Sequence, residues 1–310
     1  MMFSGHISDV PGIQVGHAHN LKAQTGCTVI LPDEAATAGV DVRGSATGTR
    51  EIDLLYPTRY VEEIHAILLT GGSAFGLDAA GGVQQFLEEN GIGFNTGVIK
   101  VPIVPAAVIF DLNIGDPHIR PDKEMGYNAA IAATRRDKRL GSVGAGIGAT
   151  VGKFAGQEFL QRGGTGSCSI EPGNGVVIGV LAVVNALGNI INPQNNETIA
   201  GAFDPETRKY LDPIEFLLSE RKQYSKPFTN TTLVIVATNA SLDRNQATKI
   251  AQMANDGLAR SIKPSHTPFD GDIVFTISTN KIKKHEMDVF SIGSISAELT
   301  AWSIVDAVSH

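Results

Sequence analysis

The chain has 310 residues, 42% of them apolar and only 18% charged, and is long enough to bury about three quarters of its unfolded surface. That excludes a disordered or low-complexity protein. The net charge of -7 and a pI near 5.6 lack the basic footprint of a nucleic-acid binder, and two cysteines, Cys27 and Cys168, exclude a disulfide framework and suit a reducing compartment.

The opening MMFSGHISDVPGIQVGH has neither the basic nor the long apolar region of a signal peptide. Apolar runs such as 176–187 span about a dozen residues, where a membrane-crossing helix needs about 20. The expectation is a soluble cytoplasmic protein. Along the chain, 28–31 and 40–42 read as strands. A buried strand at 66–70 runs into Gly71-Gly72-Ser73 and a helix over 74–90, with Phe75, Ala79, Val83, Phe86 and Leu87 on one face. This strand–glycine–helix order is an α/β signal. Pro102 and Pro105 break 96–111 into strand and loop. A helix is predicted over 125–136 and a buried strand over 176–184. Residues 191–230 are weakly apolar and read as an exposed linker, with a helix over 213–223. A strong strand follows at 233–237, then a helix over 243–260, a strand over 273–278 and an amphipathic helix over 289–308.

Several motifs fail on their context. Gly144, Gly146 and Ala149 spell G-x-G-x-x-A, but the TVGKFAGQEF that follows is too rich in glycine for the helix a dinucleotide site requires. Gly152-Lys153 resembles the end of a phosphate loop, yet Ile147 and Phe154 stand where that motif needs Gly and Ser or Thr. His17 and His19 would share one side of a strand, with no Cys or His cluster nearby in sequence to complete a metal site.

Asn230-Thr231-Thr232 joins the polar stretch to a buried strand. It fits a surface turn entering that strand. It also fits a cleavage site, because a cut before Thr231 would give one residue both a hydroxyl and an α-amine with a pKa of about 7.7–8.0. Such an amine can serve as base for its own hydroxyl. Downstream, Asp270-Gly271-Asp272 precedes the strand at 273–278. Carboxylates at i and i+2 of an extended chain point to one side. Two adjacent strands joined by a helix would bring the pair beside Thr231. The same residues also fit a solvated Asp-Gly turn.

Long stretches carry a resemblance. SDVPGIQVGH (8–17), TGCTVILP (25–32), VRGSATGTREIDLL (42–55), LLTGGSAFGLDAAGGVQQFLEENGIG (68–93), VPIVPAAVIFDL (101–112), GSVGAGIGATVGK (141–153) and NTTLVIVATNA (230–240) together resemble the nylon-oligomer hydrolase and L-aminopeptidase/D-esterase (DmpA-like) family of self-cleaving hydrolases. The resemblance implies an α/β protein with a four-layer α/β/β/α sandwich of the N-terminal-nucleophile type. It implies one domain over 1–310, cut into fragments 1–230 and 231–310 that stay associated, and assembly into a homotetramer. It places Thr231 at the nucleophile, Lys153 and Asn185 at the family's active-site lysine and asparagine, and Asp270 and Asp272 at the acidic pair of the nylon-hydrolase branch. Aminopeptidase-type members resemble Gly-Ser at the cut and Ser and Glu at the pair, so Asn230-Thr231 and the two aspartates look like the nylon-hydrolase branch. Phe110 departs from the Tyr that many relatives carry there.

The expected activity is hydrolysis of internal amides in 6-aminohexanoate oligomers through an acyl-enzyme. Lys153 and Asn185 are expected to donate to the oxyanion. No cofactor, metal, nucleic acid or membrane partner is expected. The alternatives are an aminopeptidase or β-peptidyl aminopeptidase with the same nucleophile, an acyl-transferring enzyme as in ornithine acetyltransferases, and a catalytically silent binding or scaffold protein.

Overall fold

Two sheets lie face to face, each covered on its outer side by a pair of helices, in the computed structural model, which describes residues 3–219, 230–283 and 287–310. The strands of the two sheets are β1 (Ile13–Asn20), β2 (Thr25–Pro32), β3 (Ala36–Val42), β4 (Thr49–Arg50), β5 (Glu63–Ile64), β6 (Ile67–Thr70), β7 (Ala106–Val108), β8 (Gly164–Gly173), β9 (Val176–Asn185), β10 (Thr231–Ala240) and β11 (Ile273–Ile282). The helices are α1 (Ala79–Glu89), α2 (Lys123–Ile131), α3 (Pro213–Leu218), α4 (Arg244–Ser261) and α5 (Val289–Asp306). The first sheet runs β1-β2-β6-β7-β4 and the second β8-β9-β10-β11-β3-β5. Neighbours are antiparallel except β6/β7 and β10/β11.

Three apolar layers account for this stacking. Val29, Leu68, Val83, Leu87 and Ala129 fill the space between the first sheet and α1/α2. Ile30, Ile67, Leu181, Ile235 and Phe275 fill the space between the sheets. Val180, Val234, Val236, Ile250, Leu299 and Trp302 fill the space under α4/α5. Along β10 the period of two sends Leu233, Ile235 and Ala237 to the middle layer and Val234 and Val236 to the outer one. A strand covered on both faces reads as an unbroken apolar run, which is why 233–237 is so legible.

Three expectations need correction. Residues Ser73–Asp78 form a tight 3-10 turn, and the α-helix begins only at Ala79. Phe75 therefore leaves the buried face; it is 60% exposed and sits under the Arg120 guanidinium, 3.8 Å from the ring centre. Helix α5 is not amphipathic. Leu299 through Asp306 are all buried, because the helix packs on α4 and on β8 and β9 together. The polar stretch after 191 is pinned rather than loose. Thr198–Ala200 pairs with Asn189–Ile191, and Phe203–Asp204 with Lys209–Tyr210. The Asp212 side chain caps α3, with Pro213 at its start. The end of the predicted 213–223 helix and the segment up to 229 lie outside the described residues.

No helix among the described residues is long and apolar enough to cross a membrane. The α4–α5 contact is close because Gly257 has no side chain: a Cβ there would lie 2.0 Å from the Ala297 carbonyl oxygen. Gly257→Ala is therefore expected to destabilise the protein by about 1–3 kcal/mol, the usual range for overpacking. Urea denaturation checks this, and an unchanged midpoint would contradict so tight a contact.

Candidate active site

Strand β10 begins at Thr231, between β9 and β11. Asn185, the last residue of β9, stands opposite Thr231 in the antiparallel register. On the other side, Asn230 bridges Asp270 in the parallel sense, just before β11 begins. The crossover β10–α4–β11 thus brings the acidic pair beside Thr231, the arrangement anticipated from a strand–helix–strand order. The site residues are all buried: Lys153 is 6% exposed, Thr231 5%, Asn185 0%, and Asn230, Asp270 and Asp272 2% each. This corrects two readings. Asn230 is not the exposed end of a linker, and Asp270 and Asp272 do not form a solvated turn.

At the junction, Thr231 Oγ1 donates to the carbonyl oxygen of Asn230. The same oxygen accepts the Gly271 N–H at 2.9 Å. A Cβ on Gly271 would lie 2.6 Å from Thr231 Oγ1, so only glycine fits beside that hydroxyl. Asp272 Oδ1 accepts the Thr232 N–H at 2.8 Å. Its Oδ2 accepts the His266 N–H and lies against His266 Nδ1, both at 3.0 Å. Asp270 Oδ2 accepts from the N–H and hydroxyl of Thr267, at 2.8 and 2.5 Å. The backbone of the pair is tied to the end of β3: Arg43 and Gly44 N–H donate to the Asp272 carbonyl, and Ala46 N–H to that of Asp270.

Lys153 approaches from a separate turn. Gly152 before it has φ +75, and a Cβ there would meet the backbone of Gly201 and Ala202 at 2.0 Å. Lys153 Nζ donates to the Asn185 side-chain oxygen at 2.6 Å and to its carbonyl at 3.1 Å. The Asn185 amide in turn donates to the Phe110 carbonyl at 3.1 Å. Position 110 thus contributes its backbone carbonyl to the site. Beside it, buried Asp111 accepts from the Thr25 hydroxyl and the Gly72 N–H, both at 2.7 Å.

Burial dominates the electrostatics. It pushes the Lys153 ammonium down to about 7, while the negative charges of Asp270 and Asp111 pull the other way. Burial and then the like charge of Asp272 push Asp270 up to about 6, against the hydrogen bonds from Thr267. Burial likewise raises Asp111. A lysine and an acid that both change charge near neutral pH can move protons under ordinary conditions.

Outside this cluster, His17 Nδ1 lies 2.9 Å from the Thr28 hydroxyl, and the Gly144 N–H reaches His19. No group of three His, Cys, Asp or Glu side chains among the described residues is placed to hold a metal ion. The structure adds Gly271, His266 and Thr267 to the residues chosen from sequence. His266 and Thr267 lie just before the acids in SHTPFDGD (265–272) and Gly271 between them, and no residue type or spacing there marks them out beforehand.

The chain matches the model of Peptidase family S58 over residues 5–310. It is 42% identical over 292 residues to an "Uncharacterized aminopeptidase" of Mycobacterium tuberculosis, across 89% of this chain and 82% of that protein. It is 30% identical over 298 residues to the 6-aminohexanoate-oligomer endohydrolase of Paenarthrobacter ureafaciens, across 94% and 80%. The fold matches the L-aminopeptidase D-Ala-esterase/amidase of Ochrobactrum anthropi, a variant of the Ntn-hydrolase fold, with a TM-score of 0.72 at 17% identity over 99% of this chain and 86% of that one. A Burkholderia β-aminopeptidase aligns with a TM-score of 0.69 at 23% identity over 99% and 87%. The chain is an amide-cleaving hydrolase with the Ntn-type α/β/β/α sandwich. Within that class it belongs to peptidase family S58.

The raised pKa of Asp270 has a sign that can be measured. Between its ordinary value of 3.8 and about 6 the folded state holds a proton that the unfolded state has lost, so stability falls as pH rises through that window. Lys153 acts above pH 7, where the folded state has lost a proton the unfolded state keeps and stability rises with pH. Asp270→Asn should therefore gain stability relative to the parent between pH 4 and 7, by about 2–3 kcal/mol at about 1.4 kcal/mol per pH unit. Denaturant melts of both proteins in a Thr231→Ala background, so that the expected cut does not differ between them, check it across that range; parallel curves would contradict a buried, raised Asp270.

Proposed function

We propose that the chain is the precursor of a threonine amidohydrolase, which cleaves itself between Asn230 and Thr231 and then hydrolyses internal amide bonds in linear oligomers of 6-aminohexanoate. The observation that carries the first half is the contact of the Thr231 hydroxyl with the Asn230 carbonyl, whose oxygen already accepts the Gly271 N–H. In self-cleavage Thr231 Oγ attacks the Asn230 carbonyl carbon and its proton passes to the Asp270/Asp272 pair. The oxyanion forms against the Gly271 N–H. The C–N bond then breaks, the leaving nitrogen takes up the proton, and Asn230 becomes an ester of the threonine hydroxyl. Water hydrolyses that ester, leaving a carboxylate on Asn230 and a free amine and hydroxyl on Thr231.

In the mature enzyme the amine is the base for its own hydroxyl, which forms an acyl-enzyme with the substrate carbonyl. Asp270 and Asp272 hold the resulting ammonium and its proton. Lys153 and Asn185 line the opposite side of Thr231 and supply the oxyanion donors, each worth about 100–1000-fold in rate. Strands β10 and β11 lie between β9 and β3 of the larger fragment, so the cut leaves the sheet paired and the fragments together. Assembly into a homotetramer in the cytoplasm belongs to the same proposal.

An aminopeptidase is the second reading, favoured by the relative at 42% identity that carries that name. Such an enzyme needs a carboxylate to capture the substrate's terminal ammonium. In the mechanism above Asp270 and Asp272 already hold the Thr231 ammonium and its proton, and Asp111 accepts from Thr25 and Gly72. That supports the endo reading.

Two outcomes test the proposal. Dividing 32.7 kDa over 310 residues, the purified protein should run as fragments of about 24 kDa (1–230) and about 8 kDa (231–310) that co-elute. Thr231→Ala should stay one inactive chain, and an active wild-type chain that remains intact would refute self-cleavage. Acetyl-capped and uncapped 6-aminohexanoate oligomers should be cut at similar rates, with mid-chain products early in mass spectra. Loss of activity on capping, with monomers released singly, would assign the enzyme to the aminopeptidases.

A further inference from the structure

His266 lies outside the set of residues placed by resemblance, yet among the described residues it makes two of the three hydrogen bonds that hold the Asp272 carboxylate. Its N–H and Nδ1 both reach Oδ2 at 3.0 Å. The third bond ties Oδ1 to Thr232, the residue after the candidate nucleophile. Asp272 is therefore a clamp between the start of β10 and the turn at His266. The carboxylate is 3% exposed and the imidazole 22%, so the interaction is shielded on the acid's side while the ring reaches toward solvent. The backbone of His266 is left-handed, with φ +53, a region where His, Asn and Asp are enriched among non-glycine residues. Such a conformation persists where the surroundings fix it, and here the N–H bond to Asp272 helps to do so.

The neighbouring residue has the parallel task. Thr267 holds Asp270 through its own N–H and hydroxyl. Two consecutive residues of one turn thus each clamp one member of the acidic pair. Only the His266 contact presents a ring nitrogen whose proton can be supplied to the carboxylate as a charge-assisted bond.

We propose that His266 is the positioning residue of the site: by donating from Nδ1 to Asp272 it fixes that carboxylate against Thr232 and so sets the rate at which Thr231 attacks the Asn230 carbonyl. This rests on the self-cleavage reading above. The donor function predicts an unusual substitution pattern. The amide nitrogen of Asn can occupy the place of Nδ1, tolerates the left-handed backbone and still donates. Asp has the same size and backbone tolerance but turns an acceptor and a second negative charge on Asp272. Gly keeps the backbone conformation and removes the side chain.

The test is a pulse-chase of full-length chains made by cell-free synthesis, with the intact fraction read on denaturing gels for wild type, His266→Asn, His266→Asp and His266→Gly. Circular dichroism and melting midpoints of the products report folding. His266→Asn should cleave within about threefold of wild type, and His266→Asp and His266→Gly more slowly by about tenfold or more, tenfold being about 1.4 kcal/mol of barrier. Equal rates for the Asn and Asp variants, or an Asn variant as slow as Gly, would overturn the proposal. If the Asp variant does not fold, the Asn/Gly pair decides in the same way. A wild-type chain that never cleaves overturns the self-cleavage reading and this inference with it; a cleaving wild type with no donor-dependent pattern overturns this inference alone.

Discussion

The architecture around Thr231 depends on one constraint: two carboxylates must be kept buried, side by side, at the edge of an apolar sandwich. Isolated, such a pair would be costly, since burial and mutual repulsion both oppose its charge. The chain answers with hydrogen bonds. Thr267, His266 and Thr232 donate to the carboxylates, and the end of β3 donates to their backbone carbonyls. Gly44 permits this approach, since a Cβ there would lie 2.3 Å from the Asp270 carbonyl oxygen and the Asp272 nitrogen. The consequence is a proton-holding group with a pKa of about 6 next to a hydroxyl that already touches a peptide carbonyl.

The second sheet explains why this can be done without loss of order. Strands β10 and β11 are central, parallel and covered on both faces, so their registers are fixed by apolar side chains over most of their length. The candidate site residues sit at their leading ends, where polar atoms from β9, the Lys153 turn and the 265–272 turn converge. Rigidity is supplied by the core and polarity by the loops, the usual division of labour in sites built at strand ends. On the proposed reading, cutting the chain at Thr231 removes one peptide bond at the sheet's margin and leaves its strand pairing intact.

Much of this was legible in the sequence. The apolar runs of β9, β10 and β11 carry their own signal, and the helix between β10 and β11 forces the parallel crossover that brings Asp270 and Asp272 to Thr231. Other features were hidden because tertiary packing decides them. Phe75 lies at helical spacing from Ala79 and Val83, yet a 3-10 turn carries it to the surface. Asn230 ends a polar stretch, yet it is buried by its bridge to Asp270. Gly271 and His266 act through a backbone N–H and a turn contact, and neither has a composition or period that marks it beforehand.

Whether the chain itself breaks the Asn230–Thr231 bond decides how this site works. The most direct measurement is N-terminal sequencing of the smaller chain from protein purified without added protease, alongside Thr231→Ala prepared in the same way. The wild type should yield a sequence beginning TTLVIV and the variant a single intact chain. A smaller chain that begins elsewhere, or the same cut appearing in Thr231→Ala, would contradict it.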